Sequence, residues 1–408
     1  MTDTSFIKPP VRPEPSGARL YYLDWLRVIA ILFVFLHHCA KFYDFHTFTI
    51  FDEPRSLALS AFREFNFLWM MPLFFVISGA AVFFSFRARR VSGFLKERVL
   101  RILVPLLFVG TFIINPLQVY FERLFQGKTT LNFFAWYPHF FDGIYLAGGN
   151  FAPPGVGTHL WYLLYLFVFS LIALPLFINF GKSKSSLLTR VGGVFQRPWA
   201  LLLLFVPVSA ASVLAEAAGL GLTRIAGGWD PLSFLVFFLC GYVLYCRQDT
   251  REVIRRFAWM SLAAAVVLTW LHLDSHFGLT LVVPGMTRHG SDGALLPFDR
   301  QAWMLVLALR GLSGWCWVLA LLGLGERLLN RDNPALDYAN PAVLPFYVIH
   351  FSVIYVVGYY LIRWDLGPLL EFGLIAVLSF AGIMAIYEPL IKRFNLLRFL
   401  LGMKMLKK

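Results

Sequence analysis

The chain has 408 residues, of which 59% are hydrophobic and only 14% charged, and its mean hydropathy is +0.68. A soluble globular protein carries about 25% charged residues, so this chain lacks the polar side chains to cover a water-facing surface, and a lipid bilayer is the solvent that suits it. The net charge of +13 would suggest nucleic acid in a soluble protein; here Lys and Arg cluster in short connections between apolar runs, as membrane orientation requires, and no nucleic-acid partner is expected.

Residues 1–19 hold Pro9, Pro10, Pro13 and Pro15 and read as a disordered tail. A spanning helix needs about 20 mostly apolar residues. About ten stretches qualify in chain order: 20–42, 65–86, 100–121, 159–180, 199–217, 232–246, 256–274, 301–323, 342–362 and 368–388. The weakest are 199–217 and 232–246; the second is short, with a start that could reach back toward Trp229. Between 276 and 300, Pro284, Gly285, Gly290 and Gly293 mark a loop. The expected fold is all-α: a polytopic membrane protein of about ten transmembrane helices. Lys and Arg concentrate in alternate connections, including 87–101, 182–197, 247–256 and the basic tail 393–408. That bias puts both termini in the cytoplasm, with 122–158 and 275–300 as the largest loops on the far side. The first apolar run contains Asp24 and Arg27 and no small-residue cleavage site follows, so it is not a cleaved signal peptide. No internal repeat supports an inverted-repeat transporter. The four cysteines show no CxxC spacing, so neither disulfides nor zinc are expected.

Charge inside a spanning segment is costly and therefore points to function. Arg27 and His38 lie 11 residues apart in the first helix. At about 100° per residue they share a face, separated by about 16 Å along the axis. Asp24, three residues before Arg27, joins the same stripe; His37 points about 100° away. A neutral histidine near pH 7 is a suitable general base, and an arginine can hold an anionic or carbonyl-rich ligand. The same spacing also fits an interfacial Asp24–Arg27 ion pair and a packed histidine. Arg98 and Arg101 share a face at the start of the third helix, where paired guanidinium groups can clamp a phosphate or meet lipid headgroups. His159 and Trp161 stand at the start of the fourth helix, as interfacial anchors or site residues. His350 lies near the middle of the ninth, and Arg310, in the eighth, needs a partner. His272-Leu273-Asp274-Ser275-His276 has metal-like spacing but falls where helix gives way to loop, so no metal is expected. No GxSxG, Walker loop or HExxH occurs.

Over about residues 20–404 the chain resembles the acyltransferase-3 family of integral membrane enzymes. Arg27-x10-His38 resembles that family's Arg-x10-His motif, and Arg98-x-x-Arg101 before Pro105 its Arg-x-x-Arg motif. Phe74-Phe75-Val76-Ile77-Ser78-Gly79 resembles its second helix. The stretches Leu23–Arg27, His159–Leu163, Tyr347–His350 and Arg393–Gly402 are similar to the branch that succinylates periplasmic glucans. One departure is visible: Trp161–Leu166 stands where many surface-polysaccharide acetyltransferases carry Ser-Leu-x-x-Glu-Glu, so a carboxylate role is missing or supplied elsewhere.

The resemblance implies a transmembrane acyltransferase domain over 20–392, between cytoplasmic tails 1–19 and 393–408, in a bacterial inner membrane. It implies acyl-CoA bound from the cytoplasm, with its phosphates on Arg98 and Arg101 and its arm passing Arg27. His38 would deprotonate a hydroxyl of a periplasmic glucan or other glycan. Acyl-CoA is the donor substrate and no cofactor is expected. Asp24, His159, Trp161, His350 and Arg310 are the further candidate substrate-binding residues, Arg310 as the cation for a succinyl carboxylate. The competing readings are a glycan transporter or flippase and a non-catalytic partner in glycan export.

Overall fold

The computed structural model describes residues 19–45, 55–88, 90–182, 193–194, 197–219, 227–277 and 299–407. The disordered tail expected before residue 19 and the Pro- and Gly-marked loop over 278–298 lie outside them. The regular elements among the described residues are helices, with one isolated bridge between Ile144 and Phe151. Eight are long and apolar enough to cross a bilayer, and two shorter apolar helices accompany them. The all-α, multi-pass architecture expected from composition is the one observed.

In chain order the helices are α1 Tyr21–Cys39, α2 Leu57–Ala88, α3 Val91–Phe125, α4 Trp161–Ile172, α5 Leu174–Lys182, α6 Pro198–Ala217, α7 Pro231–Leu244, α8 Gln248–Phe277, α9 Arg300–Leu328, α10 Pro334–Leu361 and α11 Pro368–Ile391. Local chemistry sets several boundaries. Asp230 caps α7 by accepting from the Ser233 amide at 2.8 Å, and Pro231 fills the first helical position, where its missing N–H costs nothing. Asn333 and Pro334 start α10 in the same way. The stretch expected as one helix over 159–180 divides between α4 and α5 at Ala173, next to Pro175, which has no amide hydrogen to give the preceding turn.

Two helices run further than apolar windows suggest. α2 begins at Leu57 rather than 65 because its polar residues are buried and partnered: Arg63 pairs with Asp44 and lies 3.4 Å from His37 Nε2. α8 runs through Phe277, so His272 and His276 lie in its last turns.

At the centre, α1 packs on α10, α2 and α9, while α7 and α9 pack on α2. α8 covers α9, and α11 covers α10. These outer helices expose Trp259, Met260, Val266 and Val267 on α8, and Leu369, Val377 and Leu378 on α11, surfaces suited to lipid tails. The α2–α7 contact brings backbones together: a Cβ on Gly79 would collide with the Phe238 carbonyl oxygen, and one on Gly241 with that of Val76. Close approach through small residues is the usual basis of helix pairing in lipid. Gly79→Val is expected to destabilise the bundle by about 1–3 kcal/mol, read as a lower thermal midpoint of the detergent-solubilised protein.

Candidate active site

A cavity of about 610 Å³ opens between α1, α2, α3, α4 and α10. Its mouth is basic. Arg19, Arg27, Arg98 and Arg101 line it, against the carboxylates Asp24 and Glu97. Asp24 accepts from Arg19 Nε at 2.9 Å and from Arg27 Nη1 at 3.2 Å. Arg27 Nη1 also lies 3.4 Å from Asn340 Oδ1 on α10. Arg19 and Arg101 are half-exposed, at 44% and 50%, whereas Arg27 is 30% exposed; positive charge thus extends from the surface inward.

The arginine pair sits where α3 changes winding. Val99–Leu103 and Pro105–Ile114 form π-helix, a wide turn that accommodates Pro105 and recurs at functional sites. Arg98 stacks on Phe94, 4.8 Å from the ring centre, and its Nε is buried with no hydrogen-bond partner among the described residues. Arg101 donates to Glu97 Oε1 at 3.2 Å and to the Gly402 carbonyl oxygen at 3.3 Å. The C-terminal segment therefore folds back onto α3. Gly402, at φ +69°, leaves no room for a Cβ beside the Arg101 carbonyl.

The lining also includes apolar Ile31, Phe74, Ile77 and Leu166, together with Tyr162 and Tyr347. The Tyr162 hydroxyl lies 2.8 Å from Ser78 Oγ. The Tyr347 hydroxyl donates to the His159 carbonyl oxygen, and the Tyr347 ring lies 5.8 Å from that of His350. Behind it three imidazoles gather: His38 is 5.3 Å from His350 and His159 is 5.1 Å from His350, by ring centres. His350 Nδ1 donates to the Tyr347 carbonyl oxygen at 2.7 Å, which leaves Nε2 as an acceptor in the neutral ring. His350 Nε2 and His38 Nδ1 are both buried without a hydrogen-bond partner among the described residues. His159 Nε2 donates to the Val348 carbonyl oxygen at 3.1 Å.

The structure thus brings Asp24, Arg27, Arg98 and Arg101 to one cavity and His38, His159 and His350 to one cluster, with Tyr347 between them. His37, 5.3 Å from His38 by ring centres, faces Arg63 and Phe67 on α2. Trp161 does not line the cavity; it stacks on Phe234 at 5.2 Å. Arg310 is also elsewhere, donating to the Gly228 carbonyl oxygen and lying 4.2 Å above the Trp229 ring. The cation beside the histidines is Lys41. It donates to the Tyr355 hydroxyl at 3.0 Å and lies 5.1 Å above Phe351, the ring that His38 also touches. The Tyr355 hydroxyl donates in turn to Glu122 at 3.2 Å, so a buried carboxylate is present from α3. The region after α3 packs Trp136 and Phe140 with Phe351 and Tyr355, roofing this end of α10. Sequence reading missed Tyr162, Tyr347, Lys41 and Glu122. Tyr347, three residues before His350 and hence on its face of α10, carried a usable signal.

A model of the family described as an acyltransferase domain matches residues 20–388. The chain belongs to the acyltransferase-3 family. Curated relatives include the glucans biosynthesis protein C of Salmonella heidelberg (strain SL476) and of Salmonella typhi, each 24% identical over 402 residues and covering 95% of both chains. No solved structure matches the chain. It is therefore a multi-pass membrane acyltransferase; Tyr347 lines its basic cavity, while His38, His159 and His350 lie outside that lining. Tyr347→Phe removes the donor to the His159 carbonyl while keeping the ring. The acyltransferase variant should lose about 1 kcal/mol of stability, measured as a lower thermal midpoint with unchanged gel-filtration behaviour in detergent.

Proposed function

We propose that this acyltransferase moves a succinyl or acetyl group from cytoplasmic acyl-CoA to a hydroxyl of a periplasmic glucan or other glycan, in a bacterial inner membrane with both chain termini in the cytoplasm. The observation that carries the reading is a single cavity with arginines at its mouth and, at its inner end, a tyrosine in contact with His159 and His350. The names of the curated relatives support a glucan as acceptor.

In this reading Arg98 and Arg101 hold the donor's phosphates. Arg98 has a buried Nε in want of an acceptor, and Arg101 is set by Glu97 and Gly402. The slender arm of the donor passes Arg27 along the apolar wall. About 16 Å of helix separates Arg27 from His38, a span such an arm can cover. His38, partly exposed at the far end of α1, takes the proton of the acceptor hydroxyl. The oxygen attacks the thioester carbon; the carbon–sulfur bond breaks, an ester carbon–oxygen bond forms, and the thiolate leaves and recovers the proton. His350 and Phe351 pack on the His38 ring and set its position. Lys41 is the cation available to a carboxylate-bearing acyl chain, in place of Arg310.

His38→Ala is expected to abolish glycan acylation while membrane insertion and glycan export persist, as followed by mass spectrometry of periplasmic glycans. Retained acylation with lost export would instead favour transport. Arg98→Ala combined with Arg101→Ala should weaken acyl-CoA binding by more than roughly 10- to 100-fold, the scale of a single charged hydrogen bond. Equal affinity of wild type and variant in a binding titration would remove the phosphate-clamp role.

A further inference from the structure

Away from this cavity, three ligand-type side chains converge between two helices. Glu64 comes from α2, and His272 and His276 come from α8, one helical turn apart and thus on one face. All three are buried, with 6–7% of their surface exposed. Their ligand atoms lie within 4.8 Å of one another. His272 Nε2 is 3.5 Å from one Glu64 oxygen and His276 Nε2 is 3.9 Å from the other. The two imidazoles stack with their planes 28° apart.

Both a hydrogen-bonded pair and a shared ion bring such groups together. A charge-assisted hydrogen bond from a protonated histidine to a carboxylate is about 2.7–2.9 Å long, shorter than either separation here. Donor atoms bound about 2.0–2.2 Å from a tetrahedral ion stand roughly 3.4 Å apart, close to the His272 separation and near enough for His276 to reach by a small rotation. Arg63, which pairs with Asp44, and Arg310, which donates to the Gly228 carbonyl oxygen, also attract Glu64 across space. Two imidazole nitrogens and one carboxylate oxygen form a donor set suited to a borderline divalent ion, Zn²⁺ above all. Oxygen-seeking Mg²⁺ and Ca²⁺ prefer sites richer in carboxylate and carbonyl.

We propose that Glu64, His272 and His276 bind one Zn²⁺-class ion that fastens the end of α8 to α2. The remainder of α8 packs chiefly on α9, so the ion supplies a polar tie at the point where α8 ends. The site lies outside the cavity-lining set and does not depend on the acyl-transfer reading. Its fourth coordination position is left to water.

The test uses the full chain in detergent, stripped by a chelator and then supplied with ZnCl₂ or CoCl₂ alone. Wild type should retain one equivalent of zinc per chain by elemental analysis and give the visible absorption of low-coordinate Co²⁺ with nitrogen and oxygen donors. Zinc should also raise the thermal midpoint of the stripped protein. His272→Ala and His276→Ala should each lose the retained equivalent, while His139→Ala, an exposed histidine, keeps it. If either site variant fails to fold, the wild-type cobalt spectrum and zinc content decide alone. Substoichiometric zinc with no cobalt band in wild type would leave a buried histidine–carboxylate pair and overturn the proposal. So would undiminished retention in both folded site variants.

Discussion

A guanidinium and an imidazole carried by one apolar helix cannot both face lipid, because ionisable groups in hydrocarbon must be turned toward protein or water. α1 is unbroken from Tyr21 to Cys39, so Arg27 and His38 keep a common face over about 16 Å. The rest of the bundle is arranged around that face. α2, α3, α4 and α10 wall the cavity at Arg27, and α10 supplies the ring packed on His38. Asp24 and Asn340 satisfy Arg27 without sealing it off.

α10 is the element that links the two ends. Pro341 and Pro345 interrupt its amide ladder, and the backbone beyond them carries Tyr347, His350 and Phe351 in succession. Tyr347 bonds to His159 through its hydroxyl and to His350 through its carbonyl. One residue thus lines the cavity and fixes two members of the histidine cluster.

The fold class was legible because lipid solvation leaves a composition signature, and the arginine–histidine face was legible because helical spacing is rigid. Segment ends were less so. Arg63 and Glu64 made the start of α2 look too polar to span, yet Arg63 is buried against Asp44 and His37, a partnership set by tertiary packing. The His272–His276 pair stands in the last turns of α8, and its meeting with Glu64 spans 208 positions, beyond the reach of any local pattern. Arg310 was correctly marked as needing a partner, but only the fold could supply one, in the Gly228 carbonyl and the Trp229 ring. The C-terminal basic segment reads as a tail, and Gly402 docks it on Arg101.

Acyl transfer in this arrangement requires a donor in the space between the arginines and the histidines. The most direct measurement is an electron cryo-microscopy map of the full chain bound to a non-reactive thioether analogue of acyl-CoA. It should show the phosphates against Arg98 and Arg101, the arm alongside Arg27 and Ile31, and the acyl end at Tyr347 facing His38. Density for the analogue on the lipid-facing side of α3, with the cavity filled by side chains and Tyr347 unmoved, would contradict it.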